Sequence, residues 1–236
     1  MQIKDSTVLI TGANRGIGRA LIDAALSKGA ARVYAGTRVP FEHPDGRVVS
    51  LRIDVTDPWQ VAQAAVRVEQ LDILINNAGV AQYDDLSDRS ALEAHLAVNL
   101  YGTYGVTQAF LPALERAGGA LVNNVSMMAL APFPVTPAYA VSKPAAFNLT
   151  QSLRGLLAPR GVSVHAVLTG PTDTDMTRSL QIPKATPESV AQATLEGVEA
   201  GEEEIFPDPL SGELADSWRN GAAKAFEHQF ALAVAA

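Results

Sequence analysis

The sequence predicts an α/β fold, a doubly wound parallel sheet of about seven strands with helices on both faces. Three observations carry this. Short apolar runs alternate with longer segments of helical period. The connections between them are short, as repeated strand–helix units require. The 236 residues, 47% of them hydrophobic, suit a single domain spanning residues 1–236.

Thr7–Ile10 reads as a first, buried strand. Ile17, Ala20, Leu21, Ala24 and Ala25 then recur at helical spacing through Ser27, with Gly29 as the stop. Arg32–Gly36 is the second strand. The connection after it, Thr37–Arg47, holds Pro40, Pro44 and Gly46 and leaves room for no more than a stub of helix. Val48–Val55 is the third strand, and Pro58–Glu69 a helix with proline in its first turn. Leu71–Asn76 is the fourth strand, and Gln82–Asp88 is polar and loop-like. Ser90–Leu114 carries one long helical pattern, with a bend expected at Gly102 and Gly105. Ala120–Val125 is the fifth strand, Met127–Pro137 a loop, Ala138–Ala158 a helix and Val162–Leu168 the sixth strand. Thr169–Pro183 is irregular. Thr186-Pro187-Glu188 has the cap, the proline and the acid of a helix start, and that helix runs to about Ala200. Glu203–Pro207 is a short seventh strand, and Ala215–Val234 a last helix or tail.

Composition removes several function classes. A net charge of −7 argues against general affinity for nucleic acid or anionic membranes. With no cysteine there is no disulfide, thiolate metal site or cysteine nucleophile. His43, His95, His165 and His228 show no metal-ligand spacing, and His165 lies in an apolar strand pattern as a core residue would. No run of about 18 apolar residues is present. No basic-then-apolar leader opens the chain, so a cytoplasmic protein is expected.

Thr11-Gly12-Ala13-Asn14-Arg15-Gly16-Ile17-Gly18 sits in the turn from the first strand to the first helix. Gly12 permits a tight turn, Gly16 lets backbone approach a phosphate, and Gly18 allows close helix–strand packing. The helix start offers free N–H groups and a positive dipole end to a pyrophosphate. Such glycines also serve packing alone. Asp54-Val55 ends the third strand, where a carboxylate could accept an adenine amino proton or simply close a turn. Asn76-Asn77-Ala78-Gly79 follows the fourth strand, where asparagine side chains can bond strand ends. Tyr139 and Lys143, four apart on a helix, share one face. An ammonium near a phenol favours phenolate and would lower its pKa from about 10, making Tyr139 a usable general acid/base. Ser126, just past the fifth strand, could hold a carbonyl oxygen or act as a turn residue.

Together these stretches resemble the short-chain dehydrogenase/reductase (SDR) family, over almost the whole chain from Thr7 to about Pro209. Thr11–Gly18 matches its TGxxxGxG pattern, Asn76–Gly79 its NNAG, and Tyr139 and Lys143 its YxxxK. Asn99 in Val98-Asn99-Leu100 matches the active-site asparagine, and Ser126 lies 13 residues before Tyr139, at the family's spacing. The resemblance implies a Rossmann-type fold and hydride transfer between a nicotinamide and a carbonyl or alcohol. Tyr139 would then exchange the proton, and Lys143 would lower its pKa and bond the nicotinamide ribose. Ser126 would position the carbonyl, and Asn99 would hold a water relaying protons through Lys143. Thr174 in Gly170-Pro171-Thr172-Asp173-Thr174 looks like the family's threonine at the nicotinamide carboxamide. Gly12, Asn14, Arg15, Gly16, Ile17, Gly18, Arg38, Asp54, Val55, Asn77, Ala78, Gly79, Gly170, Thr172 and Thr174 make up the implied cofactor set, with Tyr139 and Lys143.

The end of the second strand reads Gly36-Thr37-Arg38, without the acid that would hold a ribose 2′-OH. Arg38 can offer a planar fork to a 2′-phosphate, with Arg15 as a second cation, unless Glu42 or Asp45 pairs with one of them. NADP(H) is therefore preferred, with NAD(H) also possible. Met127, Met128, Phe133 and Leu180 are candidate substrate-lining residues, suiting an aldehyde or ketone with an apolar substituent. A homodimer or homotetramer is expected from the family. One interface would form at Glu203–Pro207 and the helix before it, despite the acidic run Glu202–Glu204. Two departures stand out: Thr169 where the family usually has proline, and Pro144 after Lys143, which should kink the helix between Tyr139 and Lys143. The alternative to an enzyme is a catalytically silent NADP(H)-binding regulator, which would have no need of a proton donor.

Overall fold

The structure, a computed structural model, describes residues 1–232. Seven parallel strands form one sheet in the order β3-β2-β1-β4-β5-β6-β7. They are β1 (Thr7–Thr11), β2 (Arg32–Thr37), β3 (Val48–Arg52), β4 (Ile73–Asn76), β5 (Ala120–Asn124), β6 (Ser163–Val167) and β7 (Glu204–Ile205). The order reverses between β1 and β4, so their carboxyl ends open onto the crevice where such sheets take ligands. The helices are α1 (Gly16–Ser27), α2 (Pro58–Arg67), α3 (Arg89–Leu96), α4 (Thr103–Ala117), α5 (Pro137–Leu157) and α6 (Pro187–Ala200). Three short ones follow: α7 (Pro209–Gly212), α8 (Ala215–Arg219) and α9 (Ala222–Leu232).

The strands read as continuous apolar runs because helices cover both faces of the sheet. Along β1, Val8 and Ile10 pack with Leu21 and Ile22 of α1 and Leu195 of α6. Leu9 points the other way, into Val61 of α2, Phe110 and Leu114 of α4 and Leu153 of α5. His165 is buried in β6, and that burial pushes its pKa down. Among the described residues no helix is long and apolar enough to cross a membrane.

The β2–β3 connection, expected to hold a stub of helix at most, holds none. Arg47 ties it down instead, bonding the Asp45 carboxylate and the carbonyls of Leu26 and Ala30. The third strand stops at Arg52, because Asp54 Oδ1 accepts from both Thr56 N and Thr56 Oγ1 and closes a turn. The long helix is not bent at Gly105; a π-helical turn, Ala97–Gly102, joins α3 to α4. Gly102 lets that turn approach the end of β3, since a Cβ there would lie 2.7 Å from Val55 Cγ2. α5 runs unbroken through Pro144. The proline removes one backbone bond, while buried Tyr139, Ala140, Ser142, Ala146 and Phe147 hold the surrounding turns against the sheet. Ala215–Val234 is two helices rather than one, and Val234 lies outside the described residues.

The acidic run beside β7 is neutralised within the chain. Glu202 pairs with Arg219 at 2.9 Å. Glu204, almost fully buried, receives Arg154 Nη1 at 2.8 Å and Lys224 Nζ at 2.9 Å. Glu227 of α9 bonds both cations as well. Burial would raise the Glu203 carboxyl, but hydrogen bonds from Lys224 and His228 and the charge of Arg154 overcome it and hold it at about 2. Arg154→Ala strands Glu204 with one cation, so unfolding in urea should show a loss of roughly 3 kcal/mol. A loss below about 1 kcal/mol would mean that Lys224 alone suffices.

Candidate active site

Side chains at the carboxyl ends of four adjacent strands are wired together. Thr11 Oγ1, ending β1, accepts from Asn77 N and Ala78 N, both at 3.0 Å. Asn77 Oδ1, after β4, accepts from Asn124 Nδ2 of β5 at 3.0 Å. Asn124 Oδ1 accepts from Thr169 Oγ1, after β6, at 2.6 Å. Thr169, where proline was the expected residue, thus supplies the last bond of the row. One residue deeper, Asn76 bonds Thr107 of α4 and Asn123 of β5, and Asn123 bonds Thr150 of α5, all at 2.9 Å.

The glycine turn presses on this row. Gly12 has φ +64° and Gly16 φ +52°, both in the left-handed region. A Cβ on Gly18 would lie 2.2 Å from the Gly12 carbonyl oxygen, and one on Gly12 2.9 Å from Ala78 Cα. A Cβ on Gly16 would meet Thr174 Cγ2 at 3.1 Å, so Thr174 closes over the turn. Glycine at 12 and 18 thus serves close packing of the turn on the strand ends, and Arg15, at the cap of α1, makes no side-chain cap bond, which leaves a helix start that fits a dinucleotide phosphate. Ile17 packs partly buried beneath it, while Asn14 and Arg15 stand exposed.

The four proton-transfer candidates come together. α5 buries Tyr139 and Lys143 on one face, with Lys143 Nζ 5.3 Å from the Tyr139 ring centroid. Lys143 Nζ donates to the Asn124 carbonyl at 3.1 Å, anchoring it to the strand-end row. Ser126 Oγ accepts from Met128 N at 3.1 Å and donates to Thr169 O at 3.3 Å. Asn99, in the π-helical turn, accepts from Val80 N at 2.9 Å and donates to Val80 O and Ser142 Oγ. A Cβ on Gly79 would lie 3.3 Å from Asn99 Oδ1 and 3.8 Å from Lys143 Nζ, so both groups face that glycine. Because both Asn99 amide hydrogens are committed to protein groups, a water here meets only oxygen lone pairs of that residue.

The pKa expectation is corrected. Burial pushes the Tyr139 phenol up to about 12, against a smaller opposite pull from the Ser126 hydroxyl. Burial also pushes the Lys143 ammonium down to about 8. Both charged forms lose water, and this outweighs the benefit the ammonium offers a phenolate.

The cofactor candidates are unequal. Arg38 is exposed after β2, with no ion pair or hydrogen bond among the described residues; Asp45 is taken by Arg47. Arg15 is engaged instead by Asp175 at 2.9 Å. Asp54 keeps one carboxylate oxygen outside its turn, and Val55 packs on Gly102. Gly170 N donates to Asp208 at 2.7 Å, and buried Thr172 bonds the Gly170 carbonyl. Of the substrate candidates, Met127 and Met128 follow Ser126 in a short 3₁₀ turn. Phe133 is exposed on the loop before α5. Leu180 lines a surface cavity of about 460 Å³ with Asp173, Ile182 and Lys184, to which none of the four proton-transfer candidates contributes. Sequence reasoning missed two residues. His95 lies fully buried with its ring centroid 6.4 Å from that of Tyr139, four residues before Asn99. Asp84 carried only the local signal of a turn, its Oδ1 accepting from Leu86 N at 3.2 Å; its other partner is the distant amide of Ala138.

Comparison with known proteins bears on the same region. The model of the short chain dehydrogenase family matches residues 6–185. A short chain dehydrogenase of Monascus purpureus is 36% identical over 195 residues, covering 73% of this chain and 67% of that protein. Oxidoreductase UcpA of Escherichia coli K12 is 32% identical over 231 residues, 91% of this chain and 87% of that one. A short chain dehydrogenase from Burkholderia cenocepacia J2315, solved in complex with NADP, superposes with a TM-score of 0.89 at 36% identity, covering 97% of this chain and 98% of that one.

The glycine contacts separate two substitutions. Gly18→Ala drives a methyl into the Gly12 carbonyl and should cost about 2 kcal/mol. Gly105→Ala, with nothing within 4 Å of its Cβ, should be neutral or stabilise α4 by up to about 1 kcal/mol. Thermal unfolding of both variants reads the difference, and equal melting temperatures would contradict the close contact.

Proposed function

This chain belongs to the short-chain dehydrogenase family and is an oxidoreductase of it, and we propose that it is an NADP(H)-dependent carbonyl reductase or alcohol dehydrogenase. The observation that carries the reading is the convergence of Ser126, Tyr139, Lys143 and Asn99 at the strand ends, beside a glycine turn whose helix start has no side-chain cap. A regulator without turnover has no use for that set.

The residues divide the work. Gly12 and Gly18 let the turn pack closely, Gly16 would let backbone approach the pyrophosphate, and the start of α1 would direct N–H groups to it. Arg38, the uncommitted cation after β2, would hold the 2′-phosphate, and the NADP complex of the Burkholderia protein supports the same choice. The bound nicotinamide supplies or takes the hydride. Ser126 would hold the carbonyl oxygen by hydrogen bond. Tyr139, neutral because it is buried, is already the acid that reduction needs. Lys143 has two N–H groups beyond its bond to Asn124, enough to bond a ribose and to stabilise the phenolate left when Tyr139 gives up its proton. Asn99 would fix Val80 and Ser142 around Lys143. The substrate class proposed is an aldehyde or ketone with an apolar substituent, placed against Met127 and Met128. A homodimer or homotetramer belongs to the proposal too. Tyr101 and Tyr104 beside and on α4, and Val141 on α5, are exposed apolar groups it would cover, and sedimentation velocity of the full chain reads it.

NADPH and NADH consumption against a panel of aldehydes and ketones tests the reading. Turnover should favour NADPH and fall at least about 10²-fold in Tyr139→Phe. Arg38→Gln should weaken NADPH by about tenfold and leave NADH nearly unchanged. The pH dependence follows from the two shifted groups. Tyr139, at about 12, stays protonated throughout the working range. Lys143 carries its charge below about 8 and loses it above. Reduction needs the ammonium beside the nascent phenolate, so its kcat should fall as pH rises through that value. Oxidation needs a proton acceptor, so its kcat should rise through the same window. Flat profiles in both directions between pH 6 and pH 10 would show that Lys143 does not titrate there.

A further inference from the structure

We propose that Asp84 is a positioning residue for Tyr139: it caps α5 from a distant loop and so sets where the proton donor stands. The proposal deepens the reductase reading and rests on it for the identity of Tyr139 as donor. The start of α5 lacks a local cap. Thr136, the residue before the helix, makes no side-chain cap bond, and Pro137 at the first position has no N–H. The first free amide is that of Ala138, immediately before Tyr139. It donates to the Asp84 carboxylate, at 3.3 Å to Oδ1 and 3.2 Å to Oδ2. A carboxylate at a helix N-terminus satisfies an otherwise orphan N–H and complements the helix dipole. Nothing else among the described hydrogen bonds does this for the Ala138 amide.

Asp84 can do this only if its own segment is fixed, and residues 80–84 are fixed at four points. Asn99 holds both backbone groups of Val80. Gln82 N donates to His95 Nε2 at 3.0 Å. The other ring nitrogen, Nδ1, lies 2.6 Å from the Ala91 carbonyl, which can only accept. Nδ1 therefore carries the proton and Nε2 is the acceptor, so the buried ring has one tautomer and one role. Its edge also meets the Tyr139 ring at 73°. Tyr83 OH bonds Ser179 Oγ at 2.7 Å, joining the same segment to the loop after β6. The strap thus links that loop, the π-helical turn and the first turn of α5.

The test compares the full-length protein with Asp84→Ala, Asp84→Asn and His95→Phe, using three readouts. Hydrogen exchange of the first turn of α5 reports the cap and needs no turnover. It should be about fivefold faster in Asp84→Ala, the loss of one cap. The kcat for carbonyl reduction should fall about tenfold in the same variant, because small misplacements of a proton donor are amplified in rate. NADPH affinity by fluorescence should stay within about twofold. Asp84→Asn keeps an oxygen acceptor and should recover both exchange and most of the rate. His95→Phe keeps a ring against Tyr139 but frees Gln82, and should reproduce part of the kcat loss. Unchanged exchange in Asp84→Ala overturns the cap. Faster exchange with unchanged kcat overturns the positioning role. Parallel losses of NADPH binding, rate and thermal stability, not rescued by asparagine, show a merely structural residue and overturn it too. A wild-type protein that binds NADPH but reduces no carbonyl refutes the activity assigned above, and the exchange result then decides the cap by itself.

Discussion

The row of hydrogen bonds from Thr11 through Asn77 and Asn124 to Thr169 fixes everything above the sheet. Parallel strands end with carbonyl and amide groups that the next strand no longer meets, and these must be paired if they are buried. Here Thr11 and Asn77 pair such groups between β1 and β4, and Asn77, Asn124 and Thr169 continue the row side chain to side chain. The same asparagine that bonds its neighbours through its side chain offers its backbone carbonyl to Lys143. The lysine is therefore referenced to the sheet rather than only to its own helix. Thr11 does the equivalent on the cofactor side, holding the Asn77 and Ala78 amides against which Gly12 packs.

Burial then sets the chemistry. Tyr139 and Lys143 are within reach of one another but share a desolvated pocket, so the neutral form of each is favoured. A spacing of four residues on a helix predicts proximity and nothing about dielectric. That is why the expected lowering of the phenol was the wrong sign. The outcome would suit the proposed reduction: Tyr139 would hold its proton until transfer, beside a cation poised near neutrality to stabilise the phenolate left behind.

The legible parts of the sequence were those with local causes. All seven strands and the helices α1, α2, α5 and α6 follow from periodicity and from caps such as Thr186, whose hydroxyl does accept from Ser189 N. The glycine turn and the Tyr139–Lys143 pair announce themselves by spacing. What was not legible depends on tertiary partners. The π-helical turn around Asn99 has no period of its own, and it persists because Gly102 seats it on Val55. Pro144 leaves α5 intact because the helix is held by what it packs on. Asp84 finds its amide 54 residues away. The buried charges of Arg154, Lys224 and Glu204 come from three elements that only the finished fold brings together.

The site is held unevenly, and that divides its functions. Its floor consists of buried and part-buried bonds: the strand-end row, the deeper Asn76–Asn123 row, and the Asn99 contacts. Its rim is joined by exposed pairs, Arg15 to Asp175 and Tyr83 to Ser179. Exposed ion pairs contribute little stability and are screened by salt. The Arg15–Asp175 contact can therefore be given up at small cost, which the floor bonds cannot. The proposed proton transfer needs fixed geometry and would draw it from the floor. Substrate choice would fall to the rim, where Phe133 and Met176 are exposed. Asp84 is the exception that joins the two. It lies on a rim segment yet bonds the amide next to Tyr139, so a change at the mouth of the site has one direct mechanical route to the proton donor.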